Sequence, residues 1–235
     1  MTEKLTNVQQ LQDGYIFLID KPFGWTSFQL VNKVKHLIRH KLGVRKFKIG
    51  HAGTLDPLAT GLMVVAAGKA TKSINELMMV EKKYFATVRL GGTTPSYDLE
   101  LGVDKVYPYR HITEEQVKNV LDSFLGESLQ QPPIFSAKKV NGRRAYDYAR
   151  KGDELELKSN KIYISDIKLV RFDLPVFSFE VTCSKGTYIR SLAYDIGKML
   201  NSGGYLTQLR RLKSGDFDIK DAVTVNQIVD IINNL

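Results

Sequence analysis

A mixed α+β fold, with a mainly antiparallel central sheet flanked by helices and loops, is what this sequence predicts, and three observations predict it. Residues 161–170 and 176–183 alternate apolar and polar side chains, so they look like strands of one sheet. Residues 28–38, 117–125 and 192–200 repeat apolar side chains at helical spacing. The two kinds of segment intermingle without a regular strand–helix–strand repeat, which argues against a doubly wound parallel sheet. With 235 residues, 43% of them hydrophobic, the chain has ample apolar content for a core, and a single domain over residues 1–235 is expected. Only 235 − 211 = 24 residues follow Arg211, short of the roughly 50 that a separate domain usually needs.

Taken in chain order, Tyr15–Ile19 is a short apolar run read as a buried strand, and Pro22-Phe-Gly-Trp25 is a turn. Ser27 is placed as the cap of a helix whose residues Phe28, Val31, Val34, Leu37 and Ile38 recur on one face, with Gly43 just beyond its end. Lys83–Leu90 alternates like a strand and Gly91-Gly92 ends it. Thr113 with Gln116 forms a capping box ahead of Val117, Val120, Leu121, Phe124 and Leu125, and Gly126 stops that helix. Gly142–Arg150 and Leu192–Leu200 read as helical, and a strand runs over Tyr205–Leu212 after Gly203-Gly204.

Composition excludes several function classes. Cys183 is the single cysteine, so there is neither an internal disulfide framework nor a Cys-rich zinc site, and a reducing, cytoplasmic setting is expected. No apolar run reaches the roughly 18 residues of a membrane span, and residues 1–7 lack the apolar core of a signal peptide. Gly68-Lys-Ala-Thr71 is not a phosphate loop, because Met63 stands where its first glycine is required and Ala70 where Ser or Thr would hold magnesium. His36 and His40 are four apart on one helix, yet no third ligand accompanies them, so no metal is expected.

Charge carries more information. Lys and Arg number 34 against 25 Asp and Glu, a formal net charge of +9, which suits a polyanionic partner. The excess is concentrated. From Lys21 to Leu55 there is no acid, while Lys21, Lys33, Lys35, Arg39, Lys41, Arg45, Lys46 and Lys48 fall in that stretch. A solvated basic face would account for any one of these lysines; an acid-free run of this length favours a phosphate-contacting surface.

Asp56 is the first acid after that run, and the next is Glu76. It lies in Gly50-His-Ala-Gly-Thr-Leu-Asp-Pro-Leu-Ala-Thr-Gly61, where three glycines and a proline describe a tight, shaped loop. Pro57 holds the Asp56 backbone away from helix. Leu55, Leu58 and Leu62–Val65 anchor the loop to a core. A carboxylate among cations stays ionised and remains available as a nucleophile or a base.

Around this loop the sequence resembles the TruB family of tRNA pseudouridine synthases. The resemblance runs from about Tyr15 to Leu212 through separate motifs in the family's order. These are Leu18-Ile-Asp-Lys-Pro-Phe-Gly-Trp-Thr-Ser27, Lys48-Ile-Gly-His-Ala-Gly-Thr-Leu-Asp-Pro-Leu-Ala-Thr-Gly61, Lys83-Tyr84 heading a strand that ends Arg89-Leu-Gly91, Gln131-Pro-Pro-Ile-Phe-Ser-Ala137, Cys183-Ser-Lys-Gly-Thr-Tyr-Ile-Arg-Ser-Leu192 and Leu209-Arg-Arg-Leu212. The family converts the T-loop uridine at position 55 of tRNA by breaking the C1′–N1 bond, turning the uracil and rejoining it through C5. The reaction is an isomerisation that needs no cofactor. The resemblance implies that Asp56 is the essential carboxylate, attacking a sugar or base carbon or abstracting a sugar proton, and that Arg190 pairs with it. It implies that Tyr84 stacks on uracil and takes part in proton transfer, that Tyr188 and Leu209 wall the base pocket, and that His51 fills the space left by the flipped uridine. Lys21 matches a lysine near the site, in a supporting place. The implied partner is the tRNA T-arm, with no obligate protein partner and a monomer expected.

Two departures stand out. The 24 residues after Arg211 leave no room for the PUA-type RNA-binding domain that many members carry. After Arg89-Leu-Gly91 the family usually shows a Thr-Asp-Thr-type segment, whereas this chain reads Gly92-Thr-Thr-Pro-Ser-Tyr-Asp-Leu-Glu-Leu-Gly102, a difference expected to leave the catalytic residues untouched. Two other classes compete with this enzyme: a non-catalytic tRNA-binding protein on the same scaffold, and a synthase acting on ribosomal RNA or inside a guide-RNA particle. Asp56, Tyr84 and Arg190 together favour the enzyme, because a carboxylate amid phosphates would only repel them in a pure binder.

Overall fold

The computed structural model describes residues 5–136, 138–140, 143–145, 148 and 157–235. The chain divides into two compact units, Met1–Tyr84 with Arg210–Leu235, and Phe85–Leu209. It passes from one to the other inside two strands, β4 (Lys82–Leu90) and β12 (Gly204–Ser214).

The first unit is built on β1 (Tyr15–Lys21), whose seven residues pair antiparallel with β3 (Ala59–Ala67), Tyr15 facing Ala67 and Lys21 facing Gly61. A short β2 (Ile49–His51) pairs with the end of β3, and β13 (Phe217–Asp218) pairs with β12. Apolar Leu62–Ala67 is buried throughout, as a strand covered on both faces requires. Helix α1 (Val8–Asp13) precedes β1, and α3 (Ile74–Met79) follows β3. The residues beyond Arg211 fold into this unit: Val223 exchanges backbone hydrogen bonds with Leu18 and Asp20, and α6 (Val225–Asn233) buries Ile228 and Ile232.

Helix α2 (Ser27–Leu42) departs from expectation at its start. Thr26 is the cap, in a reciprocal box with Gln29, and Gly43 ends the helix in the left-handed region. Ser27 is buried instead, and so are Leu30, Val31, Val34 and Ile38, whereas Phe28 is exposed. The inward face thus starts one residue earlier than the apolar pattern suggests. Ser27 is anchored inward by hydrogen bonds, and the next residue, about 100° on round the helix, points to solvent.

In the second unit the strand order is β12, β4, β11 (Val176–Cys183), β10 (Asn160–Asp173) and β7 (Gly126–Gln130). β10 pairs antiparallel with both β11 and β7, as the alternation of 161–170 and 176–183 predicts. Helix α4 (Glu114–Asp122) carries the expected Thr113–Gln116 box but ends earlier, at Ser123, and Gly126 opens β7 at φ 92°. Helix α5 (Ile189–Met199) starts three residues before Leu192. β5 (Gly92–Thr93) pairs with β6 (Lys105–Val106). Of the helix expected over Gly142–Arg150, Arg143–Arg144 forms β9, paired with β8 (Lys139–Val140), and most of the rest lies outside the described residues. Among the described residues, no helix is long and apolar enough to cross a membrane.

Candidate active site

The first unit holds Asp56 in a loop that is gripped from both sides. Ser27 Oγ donates to the Leu55 carbonyl at 2.8 Å and accepts from the Leu55 N–H at 2.9 Å. On the other flank, the Pro57 carbonyl accepts from the Gly24 N–H at 2.9 Å and from Lys21 Nζ at 3.3 Å. The residues on both sides of Asp56, Leu55 and Pro57, are therefore tied to the segment Lys21–Ser27. The loop closes on itself through the Ala59 N–H and the Asp56 carbonyl, at 3.1 Å. Asp56 itself is half-buried, while Leu55 beneath it is buried. The carboxylate thus sits on a fixed backbone at the surface, the placement expected of a group that reaches a substrate.

Lys21 is fully buried, and its ammonium also donates to the carbonyls of Pro22 (3.0 Å) and Trp25 (2.6 Å). It shapes the turn as well as the Asp56 loop. Burial pushes Lys21 down from 10.5 to about 8, Asp56 opposes that shift by its charge, and Arg211 reinforces it. Lys21 is therefore within electrostatic reach of the carboxylate, although its direct bonds go to backbone.

Arg211, at the end of the Leu209-Arg-Arg-Leu212 motif, is the buried brace that the sequence reading missed. Its Nε donates to the Leu62 carbonyl at 2.6 Å and its Nη2 to the Gly53 carbonyl at 3.1 Å. Its backbone presses on Gly61, where an added Cβ would meet the Arg211 carbonyl oxygen at 2.4 Å; with φ at 103°, only glycine fits there. Arg210 alongside it makes a two-pronged bond with Asp20, at 2.7 and 3.0 Å. His51 ends β2, half-buried, and its pKa is lowered by burial and by the Arg211 charge, against a hydrogen bond to the Gly53 backbone. The imidazole is thus held neutral at physiological pH, which suits a stacking group. Tyr84 is half-buried on β4.

In the second unit, Tyr188 and Arg190 lie at the start of α5. Tyr188 occupies the cap position, where its N–H donates to Gln130 Oε1 at 2.7 Å and its carbonyl accepts from Gln130 Nε2 at 3.0 Å. Gln130, one residue before the Gln131-Pro-Pro motif, was not singled out from sequence. The Gln131 carbonyl accepts from Ser191 Oγ at 2.8 Å, so that motif shapes the backbone beside α5. Leu209 is buried on β12.

Arg190 is buried, and its surroundings overturn one expectation. The divergent loop 92–102 does touch a predicted catalytic residue: Asp98 Oδ2 lies 3.6 Å from Arg190 Nε, and the Ser96 carbonyl accepts from Arg190 Nη1 at 3.2 Å. The loop is folded to make that contact. Thr94 Oγ1 donates to the Asp98 carbonyl at 2.8 Å, the Glu100 N–H donates to Asp98 Oδ1 at 2.9 Å, and Tyr97 adopts φ 63° to stack on Tyr194 at 4.2 Å. A guanidinium at a helix N-terminus is opposed by the helix dipole, and the Asp98 carboxylate offsets that. The arrangement thus offers a half-exposed carboxylate on a braced loop in one unit and a buried, oriented cation in the other.

Comparison with known proteins bears on what this constellation is. Residues 39–189 match the family model described as TruB family pseudouridylate synthase (N terminal domain), and residues 190–234 match tRNA pseudouridylate synthase B C-terminal domain. The chain is 52% identical to tRNA pseudouridine synthase B of Flavobacterium johnsoniae over 92% of its own length and 95% of that protein. It is 53% identical to the Phocaeicola vulgatus protein of the same name, over 91% of each. Among solved structures, a chain of the Cbf5-Nop10-Gar1 complex matches with a TM-score of 0.71 at 28% identity, over 97% of this chain and 60% of that one. A chain of an H/ACA RNP bound to a substrate RNA containing 2'-deoxyuridine matches with a TM-score of 0.67 at 27% identity, so this chain spans little more than half the length of these structural relatives. On the family match and the identities together, the chain belongs to the TruB family of tRNA pseudouridine synthases and is an enzyme of that family.

Proposed function

We propose that this enzyme isomerises uridine 55 in the T-loop of tRNA to pseudouridine, with Asp56 as the group that begins the chemistry. The observation that carries the reading is the Asp56 loop: a half-buried aspartate whose neighbours Leu55 and Pro57 are tied down by Lys21, Gly24 and Ser27, inside a stretch otherwise free of acids. The relatives' shared name supplies the substrate class.

The reaction balances internally. The C1′–N1 bond breaks, a C1′–C5 bond forms, the hydrogen of C5 leaves as a proton and N1 gains one. Asp56 serves as nucleophile toward the sugar or the base, or as base toward a sugar proton. Arg190, aimed by Ser96 and Asp98, is the cation proposed to pair with it. Tyr84 stacks on the uracil and assists loss of the C5 proton, Tyr188 and Leu209 form the pocket walls, and neutral His51 occupies the gap left by the extruded nucleotide. Residues 1–235 are read as one catalytic domain. Phosphate contacts come from the basic stretch. Lys46 and Lys48 of that stretch share a surface pocket of about 340 Å³ with Phe47, Lys69 and Lys72. The protein works as a monomer on the T-arm and takes no cofactor.

The test is tritium release from unmodified tRNA labelled at C5 of uridine. Release mapping to position 55 supports the reading, and release only from other RNAs, or none, removes it.

A further inference from the structure

Phenylalanine normally belongs in the core. Eleven are present in this chain, and the two that are largely exposed are Phe23, at 63%, and Phe28, at 71%. A single exposed apolar ring is ordinary. These two are not scattered, because both lie on the segment that fixes the Asp56 loop. Phe23 precedes Gly24, whose N–H holds the Pro57 carbonyl. Phe28 follows Ser27, whose hydroxyl holds both backbone groups of Leu55. Each ring is thus one residue from a clamp on a neighbour of Asp56, Pro57 for Phe23 and Leu55 for Phe28. Beyond Phe28, the outward face of α2 continues through exposed Lys33, His36, Arg39 and His40, and no acid occurs between Lys21 and Leu55.

Aromatic faces among cations, without acids, are the chemistry that receives unpaired nucleotides. The cations track phosphates, and the rings accept the π-faces of bases that have lost their neighbours. Extruding a uridine leaves its loop neighbours in that state. We propose that Phe23 and Phe28 are stacking platforms for unpaired nucleobases of the RNA substrate beside the Asp56 loop. The inference rests on the RNA-modifying reading above and adds a binding role for two residues outside the catalytic set. A cationic surface of this kind suits a polyanion better than a second copy of this basic chain.

The experiment compares wild type with Phe23→Ala, Phe28→Ala, Phe23→Trp and Phe28→Tyr, using a fluorescein-labelled T-arm stem-loop and a second one with abasic sites at the loop positions other than the target. Each alanine variant is expected to bind the intact loop roughly five- to a hundredfold more weakly, with the aromatic replacements within about twofold of wild type. On the abasic loop, wild type and alanine variants are expected to bind alike. Alanine variants that bind the intact loop as tightly as wild type, or that lose the same factor on the abasic loop, overturn the proposal. So does a change in sedimentation without a change in RNA binding, which would mark the rings as a self-association surface. Failure of wild type itself to prefer the T-arm over an unrelated hairpin would instead remove the substrate reading.

Discussion

The Asp56 loop is held by three buried polar side chains, Lys21, Ser27 and Arg211. Each donates to backbone carbonyls in or beside that loop. Arg211→Met should leave the Leu62 and Gly53 carbonyls without their side-chain donor, at a cost of about 1–3 kcal/mol each. A lowered midpoint in urea and a larger fall in turnover than in RNA affinity are the expected readings. Lys21 makes a pH prediction. Its folded pKa, about 8, lies below its ordinary 10.5, so between these values the unfolded chain holds more protons and stability rises with pH. The penalty of burying the charged form is fully present below about pH 8. Urea unfolding of wild type, relative to Lys21→Met, should therefore show stability climbing from about pH 8 to about pH 10. A flat difference would mean that Lys21 is not buried in its charged form. His51 runs to the acid side: its depressed pKa gives stability that is present above the ordinary histidine range and lost as pH falls through the folded value.

At the scale of elements, two segments show how far local pattern reaches. The period of α2 was legible, but its phase was not. Thr26 and Ser27 are both good caps, and the choice between them is made by Leu55, 28 residues away, which takes the Ser27 hydroxyl. That contact turns Phe28 outward and Leu30 inward. Thr26→Ala should cost about 1 kcal/mol, read as a drop in thermal midpoint, whereas Ser27→Ala should also impair turnover by loosening the Asp56 loop. The 92–102 loop was misread for a similar reason. Its departure from the family pattern was visible, but its contact with Arg190 bridges more than ninety residues and leaves no local signal. Asp98→Asn keeps the Glu100 N–H bond and removes the charge beside Arg190. Turnover should fall at least about tenfold, with RNA affinity changed far less, because the buried guanidinium loses the Asp98 charge that helps to aim it. Equal turnover would detach this loop from the chemistry.

For the whole molecule, the antiparallel sheet, the order of its main elements and the Asp56 motif could be read directly, because alternation, capping boxes and Gly/Pro punctuation are local. The division into two units could not. Nothing in composition marks Tyr84 or Leu209 as a boundary, and Arg210–Leu235 returns to the first unit through backbone bonds between Val223 and β1. The charge asymmetry, by contrast, is a property of the sequence alone and makes a whole-molecule prediction. The logarithm of the RNA-binding constant should fall by about 0.7 to 0.9 for each phosphate neutralised per tenfold rise in salt. Reversing Lys46, Lys48 and Lys72 to glutamate should flatten that slope. The central claim, that Asp56 is the chemical group and the rest of the apparatus positions it, is tested most directly by tritium release from C5-labelled tRNA with Asp56→Asn, alongside binding of the same tRNA. The account predicts binding near the wild-type level with release abolished; substantial release by that variant would contradict it.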